Sequence, residues 1–359
     1  MAKLIFTDVP TDNSAYNWHV GSDFPNVPLT KISLDTDTDA GALAYVFFGY
    51  VNIDCDGGPQ AYGPAGLDAH DYLSNAGDAN NGWYGVASRA PNDPLVQDGT
   101  IQIDTNAPMY QGKYPVVQQA KNGDPNPGFY VSSTPHPSGP DYLQSSYIDA
   151  SQVAFGALSG KFESLGGVKL GDYALAIRHD QYLQSAFYFV DRGGKTSYGL
   201  GECSEKVATN LGAVRSGPRF NNNFPVSFIV FPASGSDSNA QQVVAEADIQ
   251  KAVRDCLGTL VSFDNPSDLA LLMALNETAP QHRPGGAAGL TSYQGQTNPT
   301  APRHLSNVLG GLQDFGLTVK IAANSSQDGN ASGAAAGAGG GGDASGDTTG
   351  GDTDQGTGD

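Results

Sequence analysis

Cationic side chains are scarce in this chain: 18 Lys and Arg stand against 37 Asp and Glu, for a net charge of −19. So acidic a protein repels nucleic acid phosphates, which argues against DNA and RNA as partners, and it would steer a polycation toward itself. Long apolar runs are missing as well. The longest, around residues 42–51 and 226–232, are strand-length and far short of the roughly 18 residues that cross a bilayer, so no membrane span is expected. The N-terminus, Met-Ala-Lys-Leu-Ile-Phe-Thr-Asp, lacks the apolar stretch of roughly 7–15 residues that marks a secretory signal. Cysteines number three, Cys55, Cys203 and Cys256, so at most one intrachain bridge is expected and a disulfide scaffold is excluded.

Familiar catalytic signatures are also lacking. The six His residues include no pair four apart and no His-Glu-x-x-His, and the Cys residues are too scattered for zinc, so no metal or cofactor is expected. Neither a Gly-x-Ser-x-Gly elbow nor a Gly-rich phosphate loop leading to Lys-Ser or Lys-Thr occurs, which leaves serine hydrolases and NTPases without support.

What is present is a β-rich pattern. Short apolar runs at residues 31–34, 44–53, 128–132, 173–177, 186–190 and 226–231 are cut by Gly, Pro, Asn and Asp, which predicts a barrel or sandwich in preference to alternating βαβ units. After residue 240 the period changes. Val243, Val244, Ala247, Ile249, Val253, Leu257 and Leu260 recur at helical spacing, and residues 267–275 form a second apolar helical stretch, predicting a helical appendage packed on the β core. Residues 278–303 read as a linker, and 331–359 carry no large apolar residue to bury, the composition of a disordered tail. The tail holds five of the negative charges (Asp343, Asp347, Asp352, Asp354, Asp359), leaving about −14 upstream.

Chemistry falls to carboxylates. Only five of the 37 acids are Glu. Glu202 lies in Tyr198-Gly-Leu-Gly-Glu-Cys-Ser204, where Ser204 is suited to cap a short helix that carries Val207, Ala208 and Leu211 inward and ends at Gly212. Asp191 ends the apolar run 186–190 and precedes Arg192-Gly193-Gly194. A strand end and a following helix approach can bring two carboxyls to one cleft. Inverting hydrolysis of a glycosidic bond needs such a pair, about 6.5–9.5 Å apart, one protonated toward the leaving oxygen and one ionised to activate water. Turn and helix-start acids of purely structural role share these positions.

Further segments, in order, resemble glycoside hydrolase family 75, the fungal-type chitosanases and their bacterial relatives. They are Val51-Asn-Ile-Asp-Cys-Asp-Gly-Gly58, Ala61-Tyr-Gly-Pro64, Gly66-Leu-Asp68, Leu73-Ser-Asn-Ala-Gly77, Trp83-Tyr-Gly-Val86, Pro115-Val-Val-Gln118, Asp124-Pro-Asn-Pro-Gly-Phe-Tyr-Val-Ser-Ser-Thr134, Tyr147-Ile-Asp149, Leu170-Gly-Asp-Tyr-Ala174 and Phe231-Pro-Ala-Ser-Gly235. The family's essential Gly-Asp-Val-Gly-Pro and Gly-Glu-Gly-Ser stretches correspond to Val190-Asp191-Arg192-Gly193-Gly194 and Gly201-Glu202-Cys203-Ser204.

The resemblance implies a mainly β fold, a six-stranded barrel of the double-psi kind with a short active-site helix and the helical C-terminal appendage. The expected segments are an N-terminal extension (1–44), a catalytic domain (45–239), an appendage with linker (240–320) and the tail (321–359). It implies endo-cleavage of β-1,4-linked glucosamine polymers with inversion, Glu202 as general acid and Asp191 as general base, the reverse remaining open. Asp54 and Asp56 become cleft acids for substrate ammonium groups. Tyr62, Trp83 and Tyr84 become sugar-stacking platforms, although core packing explains them equally well. Chitosan, or another cell-wall glycan, would be the partner, and such a substrate implies a place outside the cell or at its surface, with a cytoplasmic location or non-classical export as the alternative because no signal peptide is visible.

The departures are Arg192, Gly194 and Cys203. An inward Arg192 would favour ionised Asp191, and Cys203 would narrow the turn beside Glu202. A calcium loop at Asp54-Cys-Asp56-Gly-Gly would want more oxygen ligands and a closing Glu. His70-Asp71 and His179-Asp180 read as surface pairs. Peptidoglycan hydrolysis and non-catalytic glycan binding are the alternative functions.

Overall fold

The computed structural model describes residues 4–13, 16–20, 27, 29–34, 41–178, 181, 183–195 and 197–262. The expected helix at 267–275, the linker, the tail and His179-Asp180 lie outside them.

The apolar runs become strands. Tyr-Ala-Leu-Ala-Ile-Arg and Val-Ser-Phe-Ile-Val-Phe are buried at every position, as befits strands covered on both faces. The main sheet contains β1 (Leu4–Asp8), β2 (Thr30–Leu34), β3 (Ala44–Gly49), β4 (Asn52–Asp54), β5 (Phe155–Leu158), β6 (Tyr173–Arg178), β7 (Leu183–Arg192), β8 (Glu202–Ser204) and β9 (Val226–Phe231). Their spatial order is β1-β2-β3-β9-β6-β7-β5-β8-β4, and the sheet curls into a half-barrel. Pairing is antiparallel from β1 to β7; β5 then runs parallel to β7, β8 antiparallel to β5, and β4 parallel to β8.

Alternation along these strands sends two sets of side chains to opposite faces. The concave face holds Phe47, Phe187, Phe189 and Phe228, closed by Trp18, by Phe162 of α1 (Gly160–Gly166) and by Val207, Ala208 and Leu211 around α2 (Glu205–Asn210). The convex face holds Ile32, Val46, Leu175, Ile177, Tyr188, Val190 and Ile229. Against it lies α3 (Glu246–Ser262), through Ile249, Val253, Leu257 and Leu260. The helical spacing after residue 240 therefore marks a helix packed on the β core.

Several expectations change. The structure is mainly β, but the sheet has nine strands, and β1 and β4 stand at its ends, so a six-stranded closed barrel is not what the described residues form. Strands β1 and β2, from the expected N-terminal extension, extend this same sheet. The run 44–53 is two strands. The chain leaves β3 at Tyr50-Val51 and crosses to the far end, where β4 pairs with β8. Residues 128–132 form only isolated bridges, Val86 with Ser132 and Val117 with Tyr130.

Between β4 and β5 the backbone is irregular and is held by buried polar side chains. The Gln144 side chain donates to Gly57 O (2.8 Å) and accepts from Ser132 N (2.8 Å), while Gln118 donates to Pro59 O (2.7 Å). Asp124 accepts from Gln119 N and Gln144 N. Buried loop amides need such partners. Among the described residues no helix is long and apolar enough to cross a membrane.

Candidate functional site

Asp191 is the ninth residue of β7 and follows Phe187 and Phe189 in the strand's alternation. Opposite it the β5–β7 ladder shifts register, with Gly156 facing Phe189 and Ala157 facing Asp191, so Val190 is a bulged residue. Bulges bend a strand and re-aim its side chains. In a flat sheet Asp191 and β4 would be three strand spacings apart, roughly 14 Å at about 4.8 Å each. Here ligand-capable oxygens of Asp54, Asp56 and Asp191 all lie within 4.8 Å of one another. Strong curling of the β7-β5-β8-β4 end closes that gap.

Each of these carboxyls is oriented by a donor. Asp54 Oδ1 accepts from Asp56 N (2.7 Å), Asp191 Oδ1 from Arg192 N (2.6 Å), and Asp56 Oδ1 from the Tyr62 hydroxyl (2.6 Å). Gly57 adopts φ +82° to turn the chain after Asp56, a conformation open to glycine. Gly85 lets the Asp56 carboxyl approach: a Cβ there would stand 2.7 Å from Oδ1 and 2.9 Å from Oδ2. Asp54 and Asp191 are buried, whereas Asp56 and Glu202 are half-buried.

Glu202 begins β8 and joins the site from the side. Its Oε2 lies 3.2 Å from where a Cβ on Gly193 would be, beside the turn that follows Asp191. It also lines a small, largely apolar cavity with Phe47, Phe187, Phe189 and Phe228. The helix opens three residues later, at Glu205, with Ser204 as its N-cap, its Oγ accepting from Val207 N (3.4 Å). Ser204, Val207, Ala208 and Leu211 thus take their expected places. Glu202, however, is a strand residue, three positions before α2 begins.

Burial governs the electrostatics. It pushes Glu202 up to about 8, with Asp54 adding to the rise. Asp54 is raised to about 8 by burial and by Asp56, against its hydrogen bonds to the Asp56 amide and to Asp191. Asp56 is raised to about 7, by burial and then by Glu202 and Asp71, against the Tyr62 hydrogen bond. Asp191 is raised well above the ordinary range by burial, Asp54 and Asp56. Arg192 acts on Asp191 only through its backbone amide, and among the described residues no Lys or Arg side chain is among the groups that shift these four.

Arg192 does not turn toward Asp191; its guanidinium pairs with Glu163 Oε1 at 2.9 Å on the surface. Cys203 is buried in the core of the concave face and lines the same small cavity as Glu202. All three cysteines are free.

The expected aromatic platforms separate. Tyr62 is buried in a satellite core and serves Asp56 through its hydroxyl. Trp83 is half-buried, its ring 4.4 Å from that of Tyr110 and its Nε1 donating to Lys113 O. Tyr84 is 54% exposed and close enough to Asp56 to feel its charge. His70 and Asp71 are not a surface pair. His70 Nδ1 lies 2.7 Å from Glu205 Oε2, and Asp71 accepts from Tyr72 N, Asn75 and, at 3.4 Å, the Tyr62 hydroxyl. Tyr72, 44% exposed beside Asp71, carried no sequence signal.

No protein-family model matches this chain, and no curated protein matches it either. The family resemblance therefore rests on the motifs themselves, and several of them are structural: Gln118 and Asp124 belong to the buried loop network.

Proposed function

We propose that the protein is an endo-acting glycoside hydrolase that cleaves a cationic polysaccharide, β-1,4-linked glucosamine, with inversion, at the cell surface or beyond it. The observation that carries this reading is the meeting of Asp54, Asp56, Asp191 and Glu202, from three separate stretches of chain, with no Lys or Arg side chain among the described residues shifting them. Glu202, beside an apolar cavity, is the general acid: a carboxyl held near 8 keeps its proton at neutral pH and can pass it to the leaving oxygen. Asp191 is the general base and must be ionised to take a proton from water. Burial first, and then the Asp54 and Asp56 charges, keep Asp191 protonated; a substrate ammonium at the half-buried Asp56 would offset the second of these, so binding of the cationic sugar and readiness of the base are coupled. Exposed Tyr84 and Tyr72 flank the acids and suit sugar rings. In this reading the family's six-stranded barrel corresponds to β3-β9-β6-β7-β5-β8.

The test is chain shortening of chitosan, followed by viscometry, with the anomeric form of the first product read by NMR. Wild-type protein should shorten chitosan and release the inverted anomer, and Glu202→Gln should not. Full activity in Glu202→Gln would remove the assignment. Lysis of peptidoglycan without action on chitosan would move the substrate, and tight glycan binding without turnover would make the protein a binding module.

A further inference from the structure

We infer that Asp54, Asp56 and Asp191 form a binding site for one hard divalent cation of the calcium or magnesium class, and that this cation excludes the cationic substrate. The sequence argued against an ion here because Asp54-Cys-Asp56-Gly-Gly lacks further ligands nearby. The fold supplies the third carboxylate from β7, 135 positions beyond Asp56 (191 − 56).

Three features carry the inference. First, the ligand-capable oxygens lie within 4.8 Å of one another, a spacing that a cation bound at about 2.0–2.6 Å can bridge. Second, Asp54 Oδ2 is buried and no N–H or hydroxyl donor reaches it, so once the carboxyls ionise and the proton shared with Asp191 is lost it has no partner, in a residue only 8% exposed. Such an oxygen is costly to leave unmatched. Third, one oxygen of each carboxylate is fixed by a donor: the Asp56 amide, the Arg192 amide and the Tyr62 hydroxyl. Outer partners of this kind orient metal ligands and leave the other oxygen for the ion.

The donor set selects the ion class. All three groups are carboxylates. Cys55 turns its Sγ toward His70 O, 3.9 Å away, and His70 is engaged with Glu205. Oxygen ligands alone suit hard cations rather than zinc or copper. With the cation in place Asp56 no longer meets a substrate ammonium and Asp191 is ligated, so cation and glucosamine compete. That competition rests on the proposed function, whereas the binding itself does not.

Isothermal titration of chelator-treated full-length protein with CaCl2, and separately with MgCl2, tests the site. One saturable site is expected, weakened about tenfold or more in Asp54→Asn, because ligand charge sets affinity, and unchanged in Asp255→Asn, an exposed acid on α3 against the opposite face of the sheet. If Asp54→Asn does not fold, Asp56→Asn takes its place. No saturable binding at millimolar concentrations of either salt, or equal binding by wild type and a folded ligand variant, would overturn the site. An equal loss in Asp255→Asn would reduce the effect to general acidity and overturn it too. In a chitosan assay the bound salt should raise KM and leave kcat unchanged. A protein that binds CaCl2 at one site but never cleaves chitosan sinks the hydrolase reading and leaves the cation site standing.

Discussion

The convex face of the sheet and its β7-β5-β8-β4 end obey opposite rules within one domain. Under α3, Ile32, Leu175, Ile177, Val190, Ile229, Val253 and Leu257 pack as an aliphatic layer with no carboxylate in it, and its Tyr188 hydroxyl is satisfied by Gln242 O at 2.9 Å. At the curled end, Asp54, Asp56, Asp191 and Glu202 are packed together with no Lys or Arg side chain among the described residues shifting them. The first region lowers the free energy of the fold. The second raises it, through desolvation and like-charge repulsion, and such strain persists where a ligand relieves it. The large apolar faces make that local cost tolerable.

The contrast is sharpest in the separation of activity from stability. Asp191→Asn and Glu202→Gln should each lower chitosan turnover by about 10²- to 10⁴-fold, the usual range for a general acid or base, while the thermal midpoint holds or rises because a buried carboxyl that is costly to ionise becomes a neutral amide. A midpoint that collapsed in both would mean the acids support the fold, and the contrast between the regions would fail.

Leu257→Ala on α3 should do the reverse. Deleting a fully buried leucine costs about 2–5 kcal/mol, read from urea unfolding, with turnover per folded molecule unchanged. Loss of turnover at full stability would mean that α3 takes part in the site.

The next largest effect is a pH dependence of stability. Glu202 and Asp54 titrate near 8 and Asp56 near 7 in the folded protein, against about 4 for free carboxyls. Between those values the folded state holds more protons than the unfolded one. Their contribution is therefore complete below about pH 4 and is lost as pH rises to about 8. Thermal midpoints of chelator-treated protein should fall from pH 5 to pH 8, and fall less steeply in Asp54→Asn. An equal slope in the variant would show that the acid cluster is not its source.

The smallest effect belongs to Tyr84. An exposed ring that stacks on sugar contributes about 0.5–1.5 kcal/mol, so Tyr84→Ala should raise KM for chitosan about two- to tenfold, with thermal stability unchanged. An unchanged KM would remove Tyr84 from the substrate path.

Much of the fold could be read from local pattern. The runs at 173–177 and 226–231 lie within strands, Ser204 caps a helix that buries Val207 and Ala208, and the spacing of Ile249, Val253, Leu257 and Leu260 marks the buried stripe of α3. The split of 44–53 into two strands was hidden, because Tyr50-Val51 is as apolar as its flanks. The places of Tyr62 and Arg192 were hidden too: a Tyr reads the same whether its hydroxyl serves Asp56 or its ring faces solvent, and an Arg beside an Asp bonds whichever acid the backbone offers, here Glu163.

By itself the sequence determined the class of the fold, β-rich and acidic, and pointed to Asp191 and Glu202 as the carboxyls to watch, with Asp54 and Asp56 as the cleft acids that the family resemblance implies. Side-chain period and residue type are local properties, and a chain read in one dimension carries them in full. Only the tertiary structure decided that Asp54 and Asp56 stand against Asp191, that burial governs Glu202, and that Asp54 keeps a buried oxygen that no N–H or hydroxyl donor reaches. Those facts arise from a bulge at Val190 and the crossing of the chain from β3 to β4. Both act across strands, where distance is set by the curl of the whole sheet and not by separation along the chain.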